Sequence, residues 1–354
     1  MGLPETSPFQ LYSKYPHGPR NLISDVEGVT VGHSTINQGE IHTGVTAVFP
    51  HGGNLFRDKV MAGVSVINGF GKSMGLVQVE ELGTIETPIL MTNTLSTGVA
   101  HTALTRYMLE QNEDIGITTG TVNSIVTECN DGRLNDIRGM HVTENHVREA
   151  LHSAAEDFEE GAVGGGTGMV CLGLKGGIGS SSRKVQIDGK PYVIGALVMT
   201  NFGEAGNLVI GGVHYDTTKA RPGTGKDKGS VIILIATDVP LNERQLKRVA
   251  KRSMVALART GSYCGNGSGD IAIAFTTANR VPHYSEKSIL ESRMFYDEKI
   301  DIVFEAAVES VEEAVISSLY HGETMTGVRG NCYMGLKEFL QKYENPKKQE
   351  SRLR

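Results

Sequence analysis

The clearest pattern along the chain is the run Val231-Ile-Ile-Leu-Ile-Ala236, which is apolar at every position. Such a run predicts a strand buried on both faces. Upstream the pattern is looser. Gly28–His33 and Thr43–Phe49 alternate as half-buried strands do, and Met61–Ile67, Pro88–Thr92, Gly168–Leu174 and Tyr192–Thr200 predict further strands. Ser96–Leu109 has helical character. Thr143 suits the N-cap of a helix presenting Val147, Ala150, Leu151, Ala154 and Phe158 on one face. Beyond the apolar run, Asp238-Val-Pro240 leads into a helix with the stripe Leu246, Val249, Ala250 and Leu257. A strand at Ile271–Phe275 follows. Ile300, Val303, Phe304, Ala307, Val308, Val311, Val315 and Leu319 then mark a long helix whose stripe packs a core. Strands that outnumber helices, with amphipathic helices interleaved, predict helices covering stacked sheets.

Composition narrows the functional classes. The 354 residues suffice for one large domain or two ordinary ones, and no linker or low-complexity block divides them. A net charge of −6 with no Trp argues against a nucleic-acid partner. The start, Met1-Gly-Leu-Pro-Glu-Thr, lacks the features of an export signal, and no apolar run reaches ~18 residues, so a cytoplasmic protein off the membrane is expected. Cys129, Cys171, Cys264 and Cys332 form no Cys-x-x-Cys pair and are expected to be free thiols, with Cys171 in the core. The eleven histidines are scattered, so neither a catalytic metal nor a cofactor is expected.

Candidate chemistry begins where the apolar run begins. A polar, mobile-looking stretch, 214–228, stops at Gly229-Ser230. One hydroxyl thus stands between a loop and a core strand, preceded by a residue without a Cβ. If Ser230 attacked the carbonyl of Gly229, the chain would break there. Ser230 would then gain a free α-amino group, with a reference pKa near ~8, as a base for its own hydroxyl. Against this, Gly-Ser is a common loop dipeptide, and it recurs at Gly179-Ser180, Gly261-Ser262 and Gly267-Ser268.

Other motifs divide. Asn68-Gly-Phe-Gly-Lys-Ser73 hints at a phosphate loop, but position 66 is Val66 where that pattern needs glycine. Gly164-Gly-Gly-Thr-Gly168 lacks a following Lys and leads toward a strand, so it reads as a tight turn or as backbone lining a pocket. Gly265-Asn-Gly-Ser-Gly-Asp270 enters a strand and puts Ser268 and Asp270 on one side of the chain. That pair is an Asx/Ser turn or a hydrogen-bond relay to a nucleophile. Thr127–Asp136 is a polar turn or a set of side chains fit to bind an amine and cradle a carbonyl.

Taken in order, Asp25–His33, Thr43–Ala47, Asn130–Asp136, Thr200-Asn-Phe-Gly203, Gly229-Ser230 and Gly267-Ser-Gly-Asp270 closely resemble the DmpA-like aminopeptidases. These are the L-aminopeptidase/D-amino-acid esterase and β-peptidyl aminopeptidase group. The resemblance covers about residues 20 to 335. It implies a four-layer α-β-β-α sandwich of the α/β class. It also implies a single self-processing hydrolase domain, cut into fragments 1–229 and 230–354 that stay together and assemble as a homotetramer. By position, Ser230 matches the nucleophile and Gly229-Ser230 the cleavage site. Ser268 matches a second active-site serine, Asp270 an acidic partner and Asn201 an oxyanion-hole asparagine. Asn130 and Asp131 fall where substrate is bound. A tyrosine found in some relatives near Asn130 has no counterpart, since no Tyr lies between Tyr107 and Tyr192. The implied substrate is a peptide or an aminoacyl amide or ester, with an L-, β- or D-residue at its amino end. An acetyl transferase acting on ornithine shares the fold, but a Thr nucleophile is expected there. A binding protein with an intact Gly229–Ser230 bond is the other alternative.

Overall fold

The computed structural model describes residues 2–4, 7–220 and 229–343. Residues 221–228 of the expected polar loop and the tail from 344 lie outside the described residues. The near part of that loop is structured: Asp216 caps a short helical turn, Thr217–Lys219, and Tyr215 and Thr217 are buried.

The elements in chain order are β1 (Thr30–Gln38), β2 (Ile41–Phe49), β3 (Asp58–Gly69), α1 (Leu76–Leu82), β4 (Thr84–Ile85), β5 (Ile89–Asn93), α2 (Thr97–Gln111), β6 (Ile125–Cys129) and α3 (Glu144–His152). Then come the short pair β7 (Val170–Cys171) and β8 (Leu174–Lys175), the long pair β9 (Gly177–Ile187) and β10 (Lys190–Asn201), and the small pair β11 (Leu208–Ile210) and β12 (Val213–Tyr215). The rest is β13 (Ser230–Thr237), α4 (Glu243–Arg259), β14 (Gly269–Pro282), α5 (Asp301–Tyr320), the pair β15 (Met325–Thr326) and β16 (Cys332–Tyr333), and α6 (Leu336–Tyr343).

Two sheets stack. One has the order β1-β2-β5-β6, the other β4-β3-β14-β13-β10-β9. β13 lies in the middle of the larger sheet, antiparallel to β10 and parallel to β14. Its alternation explains its composition. Ile232, Leu234 and Ala236 pack between the sheets, whereas Val231, Ile233 and Ile235 pack under α4 and α5. All eight residues are buried, and each aliphatic side chain contributes about 1.5–3 kcal/mol by leaving water. α2 and α3 cover the outer face of the smaller sheet through Ala103, Leu104, Val147 and Ala150. The layers are therefore α-β-β-α, as the resemblance implies.

Several boundaries differ from expectation. α3 ends at His152, so Ala154 and Phe158 lie beyond it. Gly168–Leu174 is not one strand: Leu172 and Gly173 adopt left-handed backbone and turn β7 into β8. The start of the expected polar turn, Thr127-Glu-Cys129, is the end of buried strand β6. β9 has no counterpart in the sequence reading. Its Ser180-Ser-Ser-Arg183 core is polar yet buried, because residues 18–25 cover it. Ser182 Oγ accepts from Gly18 N–H at 3.0 Å, Ser180 Oγ accepts from Ile23 N–H at 2.8 Å, and Ser181 Oγ donates to Asn21 Oδ1 at 2.9 Å. The buried Arg183 pairs with Glu309 at 3.1 Å and Glu313 at 2.6 Å on α5.

Candidate active site

Ser230 is the first residue of β13 and lies directly opposite Asn201, the last residue of β10. Being in step with Ile232 and Leu234, its side chain faces the gap between the sheets. Across the gap stands β6. There the buried Cys129 Sγ contacts the Met199 carbonyl at 3.7 Å and feels the Ser230 hydroxyl as a hydrogen-bond partner. Burial pushes the Cys129 thiol well up, the neighbouring Glu128 adds to the effect, and the Ser230 hydroxyl opposes it. A neutral thiol therefore borders the serine.

Gly229 is required by space. Its φ lies outside the left-handed region, but a Cβ there would sit 2.0 Å from the Asn201 carbonyl oxygen and 2.6 Å from Phe202 Cα. The role of glycine at this position is thus close approach of the backbone. The Gly229 carbonyl accepts from Gly269 N–H at 3.2 Å. Since Gly269 is also the parallel-strand partner of Ser230, the Gly229 carbonyl and the Ser230 backbone are both pinned at the start of β13.

Asn201 is held from both ends of its carboxamide. Oδ1 accepts from Val170 N–H at 3.1 Å, and Nδ2 donates to the Asn130 carbonyl at 3.0 Å. A primary amide carries a second N–H, so the group retains one donor beside Ser230. Ser268 and Asp270, at the entrance of β14, are buried and bonded, Ser268 Oγ donating to Asp270 Oδ1 at 2.5 Å. The Asn68 side chain clamps the preceding turn, donating to the Gly265 carbonyl at 3.1 Å and to that of Ser268. This accounts for part of the Asn68–Ser73 motif.

The remaining expected site residues separate. The Asn130 side chain closes an Asx turn onto Gly132 N–H at 3.0 Å, and only its carbonyl reaches Asn201. Asp131 is fully buried, bonded to Asn135 Nδ2 at 3.0 Å, and burial pushes its carboxyl up to about 7. The Gly164–Gly168 turn is buried against Met91 and Ile178. Sequence reasoning does not single out Glu128, which is buried on β6. Its Oε1 accepts from Lys72 N–H at 2.8 Å, and its Oε2 from the Thr94 hydroxyl. A Cβ on Gly71 would contact both Glu128 Oε1 (3.5 Å) and Gly269 Cα (3.8 Å), which puts this carboxylate near the head of β13. The Thr127–Asp136 stretch as a whole reads as able to bind an amine, but what sets Glu128 apart within it is an environment supplied by the 69–73 loop and β14, distant in sequence. Among the described residues, no group of three or more His, Cys, Asp or Glu is placed to hold a metal, and no helix is long and apolar enough to cross a membrane.

A buried serine at the head of a central strand, in a four-layer α-β-β-α sandwich, defines the class of N-terminal-nucleophile hydrolases. Comparison with known proteins places the chain within that class. A profile of peptidase family S58 matches residues 21–333. The β-peptidyl aminopeptidase BapA of Sphingosinicella microcystinivorans is 37% identical, over 92% of this chain and 89% of that one. The PH0078 protein of Pyrococcus horikoshii OT3 superposes with a TM-score of 0.89 at 52% identity, covering 94% of this chain and 96% of the other. The L-aminopeptidase D-Ala-esterase/amidase of Ochrobactrum anthropi, described as a variant of the Ntn hydrolase fold, gives 0.85 at 38% identity over 94% and 97%. The chain belongs to peptidase family S58 and is a serine aminopeptidase of the N-terminal-nucleophile type.

Proposed function

We propose that this protein cuts itself between Gly229 and Ser230. The two fragments, 1–229 and 230–354, then act together as an aminopeptidase and amidase on peptides, amides or esters whose amino-terminal residue is an L-, β- or D-aminoacyl group. The observation that carries this reading is the junction itself. Ser230 heads a strand buried on both faces, opposite Asn201, after a position that only glycine can occupy.

In self-cleavage, Ser230 Oγ attacks the Gly229 carbonyl carbon, and the Gly269 N–H steadies the oxygen that becomes charged. Breaking the C–N bond moves the acyl group from nitrogen to oxygen. Water then hydrolyses the ester, leaving a carboxylate on Gly229 and a free amine on Ser230. Departure of Gly229 releases the Gly269 N–H for the next oxyanion.

In turnover, the Ser230 amine takes the hydroxyl proton and the oxygen attacks the substrate carbonyl. The unused N–H of Asn201 and the Gly269 N–H face the developing oxyanion, a term worth about 3–4 kcal/mol per donor. The Ser268–Asp270 pair orients the amine and passes a proton to the leaving group, which departs. Water then hydrolyses the ester on Ser230, releasing the acid and restoring the hydroxyl. Glu128 supplies the fixed negative charge that a substrate ammonium needs, which selects a free amino end over an acylated one. Both fragments contribute to one sheet, since β13 and β14 are paired with β10 and β3, so the cut enzyme stays associated. A homotetramer of such pairs in the cytoplasm is part of the same reading.

The test is a substrate panel: aminoacyl p-nitroanilides, β-homo-aminoacyl amides and D-alanine amide, each with a free and an acetylated amine. Free amines should be hydrolysed and acetylated ones left intact. Equal rates on both would refute the aminopeptidase specificity.

A further inference from the structure

Two buried charged groups, Lys175 and Asp131, stand behind Asn201 and have no part in the chemistry above. Lys175 is fully buried on β8, and its ammonium donates to three backbone carbonyls: Gly176 at 2.6 Å, Met169 at 2.9 Å and Gly166 at 3.3 Å. These bonds tie the 166–176 loop into one piece. Within it, Lys175 lies directly opposite Val170, and Val170 N–H is the donor that holds Asn201 Oδ1.

Asp131 does the equivalent on the other side. Its carbonyl accepts from Leu134 N–H at 3.0 Å and Asn135 N–H at 2.9 Å, and its Oδ1 accepts from the Asn135 amide at 3.0 Å. The turn so closed begins at Asn130, whose carbonyl takes the Asn201 Nδ2 proton. The two loops meet at Gly168, where a Cβ would sit 3.0 Å from Asp131 Cβ. The two charges make no direct ion pair. Burial draws the Lys175 ammonium down to about 7 against the upward pull of the Asp131 charge.

A buried ammonium with carbonyl partners alone is costly to keep, as is a buried carboxyl whose Oδ2 has no hydrogen-bond partner. An apolar pair would pack the same space at no such cost. What the two groups do share is their convergence on one carboxamide. A donor that stabilises an oxyanion must be oriented before the charge develops, or the reorientation is charged to the barrier. An Asn carboxamide also has a flipped orientation, in which its carbonyl oxygen would face the developing negative charge.

We propose that Lys175 and Asp131 are positioning residues that lock the carboxamide of Asn201 with its free N–H toward Ser230, one through Val170 and the other through Asn130. This rests on the reading of Asn201 as an oxyanion donor. Removing the lock lowers the rate of every step that builds an oxyanion and leaves substrate affinity alone.

The test is a double-mutant cycle with Lys175→Met and Asn201→Ala, reading self-cleavage in freshly made chain and kcat and KM in the cleaved enzyme. Lys175→Met should lower the rate constants about tenfold or more, bounded by the ~10²–10³-fold loss of the donor itself. KM should be unchanged. In the Asn201→Ala background the same substitution should cost nothing further, within about twofold. Lys175→Gln, which keeps two donors for the loop carbonyls, should recover part of the loss. If Lys175→Met does not fold, Asp131→Asn, which keeps an acceptor for Asn135, runs the same cycle with the same expected collapse. An undiminished loss in the Asn201→Ala background overturns the inference while Asn201 keeps its role. Wild-type rates for Asn201→Ala alone overturn the reading on which it rests.

Discussion

The two sheets face each other across one gap but bring different things to it. The six-stranded sheet brings Ser230 and Asn201, facing each other on paired strands, with Ser268 and Asp270 at the entrance of the neighbouring β14. The four-stranded sheet brings its edge strand β6, with Glu128 and Cys129, and the turn that follows. Neighbouring strands fix their residues to within a hydrogen-bond register, which suits groups that must meet a reacting atom. A facing sheet sets distance and charge across a gap, which suits recognition of a substrate. The division predicts that changes on the larger sheet reach kcat and that changes on β6 reach KM.

The strongest challenge to that division is Ser230→Ala, which should abolish both self-cleavage and hydrolysis, measured by denaturing gel and by release of p-nitroaniline. Ser230→Cys should retain some of each, because a thiol supports the same acyl shift. Next is Gly229→Ala. The added Cβ meets the Asn201 carbonyl oxygen at 2.0 Å, so the scissile carbonyl must leave the Gly269 N–H. The chain should accumulate uncut over a time course on gels.

Asn201→Ala should fold and lose about 10²–10³-fold in kcat with little change in KM, the range for one oxyanion donor. Glu128→Gln should do the reverse. KM for free-amine substrates should rise about 10–100-fold, the equivalent of ~1.5–3 kcal/mol for a hydrogen bond to a charged group, with a smaller change in kcat. If Glu128→Gln lowers kcat and spares KM, the two sheets do not divide the work as described. Ser262→Ala, at another Gly-Ser pair, sharpens the contrast from below. Its hydroxyl only accepts from Cys264 N–H at 3.1 Å, and rates should stay within about twofold of wild type.

The same contrast explains what the sequence made legible. β13 announces itself because a central strand under helices on one face and a second sheet on the other must be apolar throughout. The stripe of α4 is equally open, since one face meets the core, and the apolar stripe of α5 is legible although that helix is buried on nearly every side. Ser268 and Asp270 are two residues apart, on one side of the chain, so their bond follows from strand geometry. β6 was hidden because its last residues, Thr127-Glu-Cys129, carry the composition of a turn while lying buried. The polar β9 was hidden for a related reason, its hydroxyls being satisfied by a segment some 160 residues away. Lys175 has no local signal at all, and Glu128 is legible only as one member of the polar Thr127–Asp136 stretch. A buried charge is defined by partners that only the tertiary fold assembles.

The central claim is that Ser230 becomes a new amino terminus and acts from there. Amino-terminal sequencing of the purified, active protein tests it most directly, run beside an activity assay on the same sample. The account predicts two sequences, one of them beginning Ser-Val-Ile-Ile-Leu at Ser230, with activity rising in step with its yield. A full-length, uncut chain that hydrolyses aminoacyl amides at the full rate would contradict it.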